Sequence, residues 1–313
     1  MNAHSWRGVC TAIVGTLFLT LLVAPTALAR PAPPTGPPSP TVDLPFLRNL
    51  QTASDISADD STSPKTVTAT CPTGTVVVGS GFYLYPTAEK LVSSVVPTDT
   101  SVTVTAAEDE TGYSDDWTLT ANAYCAARPT NYEIVRIAGI ASNTNPKTVS
   151  ATCPTGTGVL GLGWSTADNY GLPVSSQLTV TEARAFLSTR RVTISVSEDD
   201  TGWGPQWSVD PIAICGTVGG VEIVTDVHNN PRGYEIGTPH CPEGRTAIGG
   251  GISMGQNPDV LFSGMYAVNG VDSYSGLPYS YSYVVGQDDE DGGAVWTLTS
   301  DVVCAYPMPV LQL

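Results

Sequence analysis

A motif of cysteine, proline and glycine occurs three times in this chain and limits what the chain can fold into. Each copy reads Cys-Pro-x-Gly, four further residues, then Gly-x-Gly, and the three copies start at Cys71, Cys153 and Cys241. Each copy ends on a second cysteine, eight residues after a tryptophan, at Cys125, Cys215 and Cys304. A motif repeated at this spacing indicates three related structural units in one chain.

The three copies are predicted to span residues 46–131, 132–220 and 221–313. Apolar residues alternate with hydroxyl residues ahead of the motif, for example at Val67, Ala69 and Cys71, and this is the period of a β-strand. β-Branched residues are frequent, and no segment after residue 45 has the sustained period of an amphipathic helix. The sequence therefore predicts an all-β protein of three pseudo-equivalent β-repeats.

Two arrangements of the copies are compatible with this pattern. Only a few residues join one copy to the next, which favours a single threefold, β-prism-like body. The alternative is three tandem small β-sandwiches, because a copy of this length with one disulfide can form a small domain.

The first 45 residues differ in composition from the repeats. Arg7 precedes an apolar run, and Ala27-Leu28-Ala29 matches a small-x-small cleavage site, so we expect residues 1–29 to be a signal peptide. Residues 30–45 contain seven prolines and are predicted to form a Pro-rich linker. We therefore expect a secreted, extracellular protein that has no membrane segment once the signal peptide is cleaved.

The expected export of the protein bears on whether its cysteines form disulfides or bind metal. Six cysteines remain after the predicted leader, which contains Cys10, and an even number in an oxidising compartment favours disulfides over metal ligation. The simplest pairing gives each copy one bridge, namely Cys71–Cys125, Cys153–Cys215 and Cys241–Cys304. Each bridge would close a long loop and contribute about 4 kcal/mol.

The net charge argues against nucleic-acid ligands, and the predicted secondary structure argues against dinucleotide ligands. The formal net charge of −16 repels nucleic acid, so no nucleic-acid partner is expected. Residues 156–161 match the G-x-G-x-x-G nucleotide fingerprint, but the corresponding residues of the other copies do not. No helix is predicted after the glycines, and a dinucleotide site requires one.

Acidic residues cluster just before the tryptophan of each copy. The candidate metal ligands are Glu108, Asp109, Glu198, Asp199, Asp288 and Asp289. Calcium takes six to eight oxygen ligands, so these loops are candidate calcium sites, and no other cofactor is expected. The same carboxylates could be the acid and base of a glycoside hydrolase, or could simply solvate hairpin tips and sheet edges. Because Glu108 and Glu198 occupy equivalent positions, a scaffold role is favoured over a single active site.

Tyrosines outside the repeated core pattern are the candidate ligand-binding residues. Tyr279, Tyr281 and Tyr283 alternate with serines and are predicted to share one face of a strand. Other aromatic residues lie in or beside segments that differ between the copies: Phe82, Tyr83, Tyr85, Trp164, Tyr170 and Trp203. Aromatic rings beside polar groups suit sugar recognition, whereas the alternative is that these rings pack between copies.

The two repeated patterns, Cys-Pro-x-Gly-x4-Gly-x-Gly and Trp-x7-Cys, resemble those of uncharacterised secreted three-repeat proteins of high-GC Gram-positive bacteria. The resemblance extends from about Phe46 to Cys304 and implies no particular activity. The motif is also similar to that of the vitelline membrane outer layer protein family, threefold β-prisms whose copies carry Cys-Pro-x-Gly and glycine-rich strands. That similarity implies an architecture only.

These observations favour a secreted, non-enzymatic binding protein whose partner is an extracellular glycan. Two alternatives stay open from the sequence. One is an extracellular glycoside hydrolase that acts through Asp or Glu, and the other is a structural component of an envelope or matrix. The sequence does not predict the oligomeric state.

Overall fold

Among the described residues, each copy forms six strands, which follow one another in the same order. The computed structural model describes residues 46–307, apart from 88, 169, 171–176, 200, 230, 232, 256, 258 and 289–295. The predicted signal peptide and linker lie outside the described residues. None of the described residues forms a helix that could cross a membrane.

The strands of copy 1 are β1 (Gln51–Ile56), β2 (Lys65–Thr70), β3 (Val76–Tyr85), β4 (Lys90–Pro97), β5 (Ser101–Glu108) and β6 (Thr118–Ala126). Those of copy 2 are β7 (Thr130–Arg136), β8 (Lys147–Thr152), β9 (Gly158–Asp168), β10 (Leu178–Phe186), β11 (Arg191–Glu198) and β12 (Trp207–Thr217). Those of copy 3 are β13 (Glu222–Asn229), β14 (Tyr234–Gly237), β15 (Thr246–Ser253), β16 (Val260–Val271), β17 (Pro278–Asp288) and β18 (Thr297–Ala305). The prediction of an all-β protein with three equivalent repeats is confirmed.

Every sheet is shared between two copies. Sheet I has the order β1-β6-β3-β16-β17-β14, sheet II the order β13-β18-β15-β10-β11-β8, and sheet III the order β7-β12-β9-β4-β5-β2. In each sheet the first, sixth and third strands of one copy join the fourth, fifth and second strands of another. Tandem sandwiches would keep the strands of a copy together, so the single threefold, β-prism-like body is the arrangement adopted.

The strand pattern also refines the limits of the copies. The predicted second copy begins at Tyr132, which lies inside β7, and the strand itself begins at Thr130. The predicted third copy begins at Val221, one residue before β13. All three copies belong to one compact unit, Asp43–Leu313, because their strands are interleaved.

The Gly-x-Gly motifs bring three strands together where the copies meet. A Cβ added to Gly79 in β3 would lie 1.6 Å from the carbonyl oxygen of Ile248 in β15. A Cβ added to Gly161 in β9 would lie 2.8 Å from the Cα of Gly79. The second glycine of a motif faces the neighbouring copy, since a Cβ on Gly163 would lie 2.4 Å from the carbonyl oxygen of Val95. The motif therefore permits backbone contact that a larger residue would prevent.

One hydrophobic core contains side chains from all three copies. The repeated tryptophans, Trp117, Trp207 and Trp296, and the second cysteine of each copy are buried, as the eight-residue spacing predicts. The three disulfides join Cys71 to Cys125, Cys153 to Cys215, and Cys241 to Cys304, which confirms one bridge per copy.

We predict that Gly79→Ala strongly destabilises the protein, whereas Gly204→Ala does not. The added methyl group at Gly79 would clash with backbone atoms of β15, and overpacking of this kind costs about 3 kcal/mol. Gly204 has no neighbour within 4 Å of an added Cβ and does not have a positive φ, so a change below about 0.5 kcal/mol is expected. Urea denaturation of both variants measures the difference. Equal stabilities would contradict the role assigned to Gly79.

Candidate functional site

The pseudo-threefold symmetry makes the outer faces of the three sheets directly comparable. Where two copies join within a sheet, the equivalent residue pairs are Tyr83–Gly264 in sheet I, Ser165–Ser94 in sheet III and Ser253–Glu182 in sheet II. Two residues further along the fourth strand of each copy, the equivalent pairs with the fifth strand are Tyr266–Tyr283 in sheet I, Val96–Thr103 in sheet III and Arg184–Thr193 in sheet II. At these compared positions, tyrosine occurs in sheet I and is replaced in the other two sheets.

Seven tyrosines make up this surface, which we call the tyrosine face: Tyr83, Tyr85, Tyr234, Tyr266, Tyr279, Tyr281 and Tyr283. They come from four adjacent strands, β3, β16, β17 and β14. Strand alternation places them on the outside, because Phe82 and Leu84 on β3 are buried while Tyr83 is half-buried and Tyr85 is exposed. Tyr279, Tyr281 and Tyr283 share this outer face, and Ser282 between the last two is buried.

The rings of the tyrosine face contact one another across the strands. The ring centroids of Tyr83 and Tyr266 are 5.6 Å apart, and those of Tyr266 and Tyr283 are 5.2 Å apart. The hydroxyl oxygens of Tyr283 and Tyr234 are 3.3 Å apart, which extends the row to the edge strand. A Cβ at Gly264 would lie 2.9 Å from the ring of Tyr83, so this glycine leaves the space that the ring occupies.

A second line of rings runs along β17. The ring centroids of Tyr281 and Tyr279 are 6.0 Å apart, and that of His240 is 5.0 Å from Tyr281. β16 and β17 have 12 and 11 residues, compared with 8 and 8 in β4 and β5, so this hairpin is longer in copy 3. Tyr279 also lines a groove of about 490 Å³ between this hairpin and the turn that contains Glu243 and Gly244.

The equivalent faces of the other sheets have different chemistry. In sheet III the hydroxyls of Thr66 and Thr105 lie 3.1 Å apart, and the neighbouring strand positions are also threonines. In sheet II the guanidinium of Arg184 donates to the buried carboxylate of Asp301, with an Nε–Oδ2 distance of 2.7 Å. Among the described residues, the compared positions therefore carry tyrosine rings in sheet I and other side chains in sheets II and III.

Three phenols of the tyrosine face have a pKa above the usual value for tyrosine. Burial and the neighbouring phenols raise the pKa of Tyr83 and Tyr234, and the same causes raise the pKa of Tyr266 to about 12. The four strands that carry the face contain no lysine or arginine within their described ranges. The phenol hydroxyls are therefore neutral hydrogen-bonding groups beside apolar ring faces.

The aromatic residues that the sequence singled out fall into three groups. Phe82 and Trp164 pack in the core, where each ring also contacts Phe262, with centroid distances of 4.9 and 6.0 Å. Tyr83 and Tyr85 belong to the tyrosine face. Tyr170 is exposed, whereas Trp203 is half-buried against the core. Packing between copies thus explains Phe82 and Trp164.

The acidic loops form the same hydrogen-bond network in copies 1 and 2. Glu108 accepts from the indole Nε1 of Trp117 at 3.1 Å, and Glu198 accepts from that of Trp207 at 2.7 Å. The next residue caps the turn, because Asp109 Oδ1 accepts from the backbone nitrogens of Thr111 and Gly112. Asp199 does the same for Thr201 and Gly202. These oxygens therefore have a structural role in both loops.

Copy 3 lacks this arrangement among its described residues. Asp288 replaces the glutamate, and its Oδ2 and the indole Nε1 of Trp296 are both buried without a hydrogen-bond partner. Asp289 lies outside the described residues. Across the described part of the chain, no group of three or more His, Cys, Asp or Glu residues has the geometry to hold a metal ion.

Sequence reasoning missed one further motif, Gly251-Ile252-Ser253-Met254-Gly255, which matches the G-x-S-x-G pattern of hydrolase nucleophiles. Ser253 is the last residue of β15 and pairs with Glu182 of the neighbouring copy. The following turn has Gly255 at φ 69°, and no helix begins among the described residues after it. The nucleophile elbow requires a strand, a turn and then a helix, so this match does not form one.

Lys90 also breaks the threefold symmetry. It pairs with Glu108 at the start of β4, where copies 2 and 3 have Leu178 and Val260. Its side chain is fully buried, and Nζ lies 3.3 Å from the ring centroid of Tyr113 without a hydrogen-bond partner. Burial lowers the pKa of Lys90 to about 8, against the opposing effect of nearby carboxylates.

We predict that Lys90→Leu stabilises the protein at pH 7 by about 2 kcal/mol, because it removes a buried charge. At pH 7 the lysine is charged in both states, and the folded protein carries the full cost. Between pH 8 and 10.5 the folded state loses the proton first, so the stability of the unsubstituted protein rises with pH in that window. The advantage of the variant should therefore shrink towards pH 10.

Urea denaturation at pH 7 and pH 10 measures both effects. Leu178→Lys, at the equivalent position of copy 2, is the matched control and should destabilise the protein at pH 7. A variant Lys90→Leu that is less stable than the unsubstituted protein at pH 7 would show that the contact with Tyr113 outweighs desolvation.

Comparison with protein-family models and with curated proteins finds no match to this chain.

Proposed function

We propose that this protein is a secreted carbohydrate-binding protein that uses the tyrosine face of sheet I. Sugar rings present apolar C–H faces that stack on aromatic rings, while their hydroxyls form hydrogen bonds with polar groups at the edges. The tyrosine face offers both, since its rings are half-buried or exposed and its phenol hydroxyls can donate and accept hydrogen bonds. An extracellular glycan is the partner that this chemistry suits.

The observation that carries the proposal is the loss of symmetry at the surface. The scaffold positions repeat in all three copies: the glycine motifs, the disulfides and the buried tryptophans. The outer-face positions do not repeat, because Tyr83 and Tyr266 correspond to Ser165 and Val96 in sheet III. A purely structural role would not require half-buried rings on one sheet of three.

Catalysis by the acidic loops has less support than binding. Glu108 and Glu198 form equivalent hydrogen bonds to buried indoles in two copies, which explains both residues without a reaction. The three disulfides suit an oxidising environment, and together with the predicted signal peptide they support secretion.

We expect Tyr281→Ala and Tyr283→Ala each to weaken binding about fivefold or more on a glycan array and in polysaccharide gels. Loss of one stacking ring should cost about 1 kcal/mol or more, which is roughly a fivefold loss of affinity. Tyr170→Ala removes a more exposed tyrosine outside the tyrosine face and should bind as the unsubstituted protein does. Binding that survives both face variants, or no binding to any glycan, would refute the proposal, and the latter result would favour a structural envelope or matrix component.

Calcium in the acidic loops remains a proposal that a separate experiment tests. Glu110 accepts from Thr201 of copy 2 at 3.1 Å, and burial together with the nearby Asp199 raises the pKa of Glu110. A cation between the loops would relieve that repulsion, so EDTA should lower the melting temperature and added Ca²⁺ should restore it. An unchanged melting temperature would show that the hydrogen bonds account for the loops without an ion.

A further inference from the structure

We propose that the tyrosine face binds a single, uncharged polysaccharide chain, rather than a crystalline polysaccharide surface or an anionic polymer. This inference rests on the proposed function and adds the class of ligand.

The relative tilt of the rings argues against a flat ligand. The ring planes of Tyr83 and Tyr266 are inclined by 59°, those of Tyr266 and Tyr283 by 39°, and those of Tyr279 and Tyr281 by 36°. A crystalline surface is flat and would contact several rings at once only if those rings were coplanar. A separate chain can rotate about each glycosidic bond, so that successive sugars meet rings of different tilt.

The size of the row fits a short stretch of one chain. The rings of Tyr83, Tyr266 and Tyr283, followed by Tyr234, lie on four adjacent strands of sheet I. Neighbouring strands are about 4.8 Å apart, so the row spans about 14 Å between its outermost strands. That length accommodates only a few sugar units, and the rings along β17 extend it in a second direction.

The charged residues on and beside the tyrosine face determine which polysaccharides it can bind. Glu235 and Asp288 are the ionisable acids on the four strands, and these strands contain no lysine or arginine. Arg245 lines the adjacent groove, but its Nη1 already contacts Glu222 at 2.9 Å, and its guanidinium lies over the ring of Tyr306. Carboxylate, sulfate or phosphate groups would therefore find no free cation among the described residues of this surface, and the net charge of −16 would repel them.

The polar groups at the end of the row suit hydroxyl ligands. Tyr234 and Tyr283 share a hydrogen bond, and each phenol has remaining capacity to donate or accept. Behind Tyr234, Glu235 contacts His228 Nδ1 at 2.8 Å, so this carboxylate is occupied within the protein. The hydroxyls that face outward are neutral, which matches an uncharged sugar.

The test compares three kinds of polymer in one format. Gel electrophoresis of the full-length mature protein is run through soluble neutral polysaccharides (hydroxyethyl cellulose, glycol chitin, starch, xylan and mannan) and through anionic ones (alginate and hyaluronan). Sedimentation with crystalline cellulose and crystalline chitin measures surface binding. We expect retardation by at least one neutral soluble polymer, no retardation by the anionic polymers, and little sedimentation with the crystals.

Variants separate stacking from folding. Tyr266→Ala should lose roughly tenfold or more in affinity for the retarding polymer, whereas Tyr266→Phe, which keeps the ring, should lose much less. Tyr266→Arg introduces the residue that sheet II has at this position, Arg184, and should bind the neutral polymer no better than Tyr266→Ala does. Near-UV circular dichroism confirms that each variant is folded.

Each result has a distinct meaning. Preference for a crystalline or an anionic polymer, with binding still dependent on Tyr266, would overturn this inference and leave the proposed function standing. No binding to any of the polymers would overturn both. For the neutral polymer that binds, oligosaccharides of increasing length should gain affinity up to about four sugar units and then level off, as the span of the row requires.

Discussion

Contact between glycine backbones is the constraint on which this structure depends. Gly79 and Gly161 belong to different copies, and a side chain on either would collide with the backbone of another strand. Because these strands meet closely, the inner faces of all three sheets can share one core. The tryptophans and disulfides then fill and fasten that core, with each bridge inside one copy and each sheet divided between two.

Residues of the scaffold repeat between the three copies, whereas residues on the outer faces of the sheets do not. Residues that serve the common core keep the same chemistry between copies, as Trp117 and Trp207 do with their glutamate partners in copies 1 and 2. A residue on the outer face has no such requirement, and there the three sheets have diverged into hydroxyl, ionic and aromatic surfaces. Lys90 and Asp288 depart from the scaffold pattern, and each leaves a buried polar atom without a hydrogen-bond partner, which we expect to reduce stability.

Local patterns predicted much of this fold, because alternation and spacing depend only on near neighbours. The inward face of Val67, Ala69 and Cys71 follows from period two, and so does the shared face of Tyr279, Tyr281 and Tyr283. The bridges could be paired because the copies are equivalent. Sheet membership could not be predicted, since β3 and β16 are distant in the chain and pair over only two residues, Phe82–Met265 and Tyr83–Gly264. Without that register, Tyr83, Tyr266 and Tyr234 could not be assigned to the same surface as the predicted trio.

The exchange of strands between copies has a consequence for how such a chain can change over time. In a solenoid, repeats stack in an open row, so units can be added or removed at the ends. Here each copy supplies half of two different sheets, and the third copy closes onto the first. Deleting or duplicating one copy would leave half-sheets with no partner. We therefore expect the number of copies to stay at three. Variation is confined to substitutions on the outer faces and to the lengths of hairpins such as β16–β17, which is where a new specificity can arise without disturbing the core.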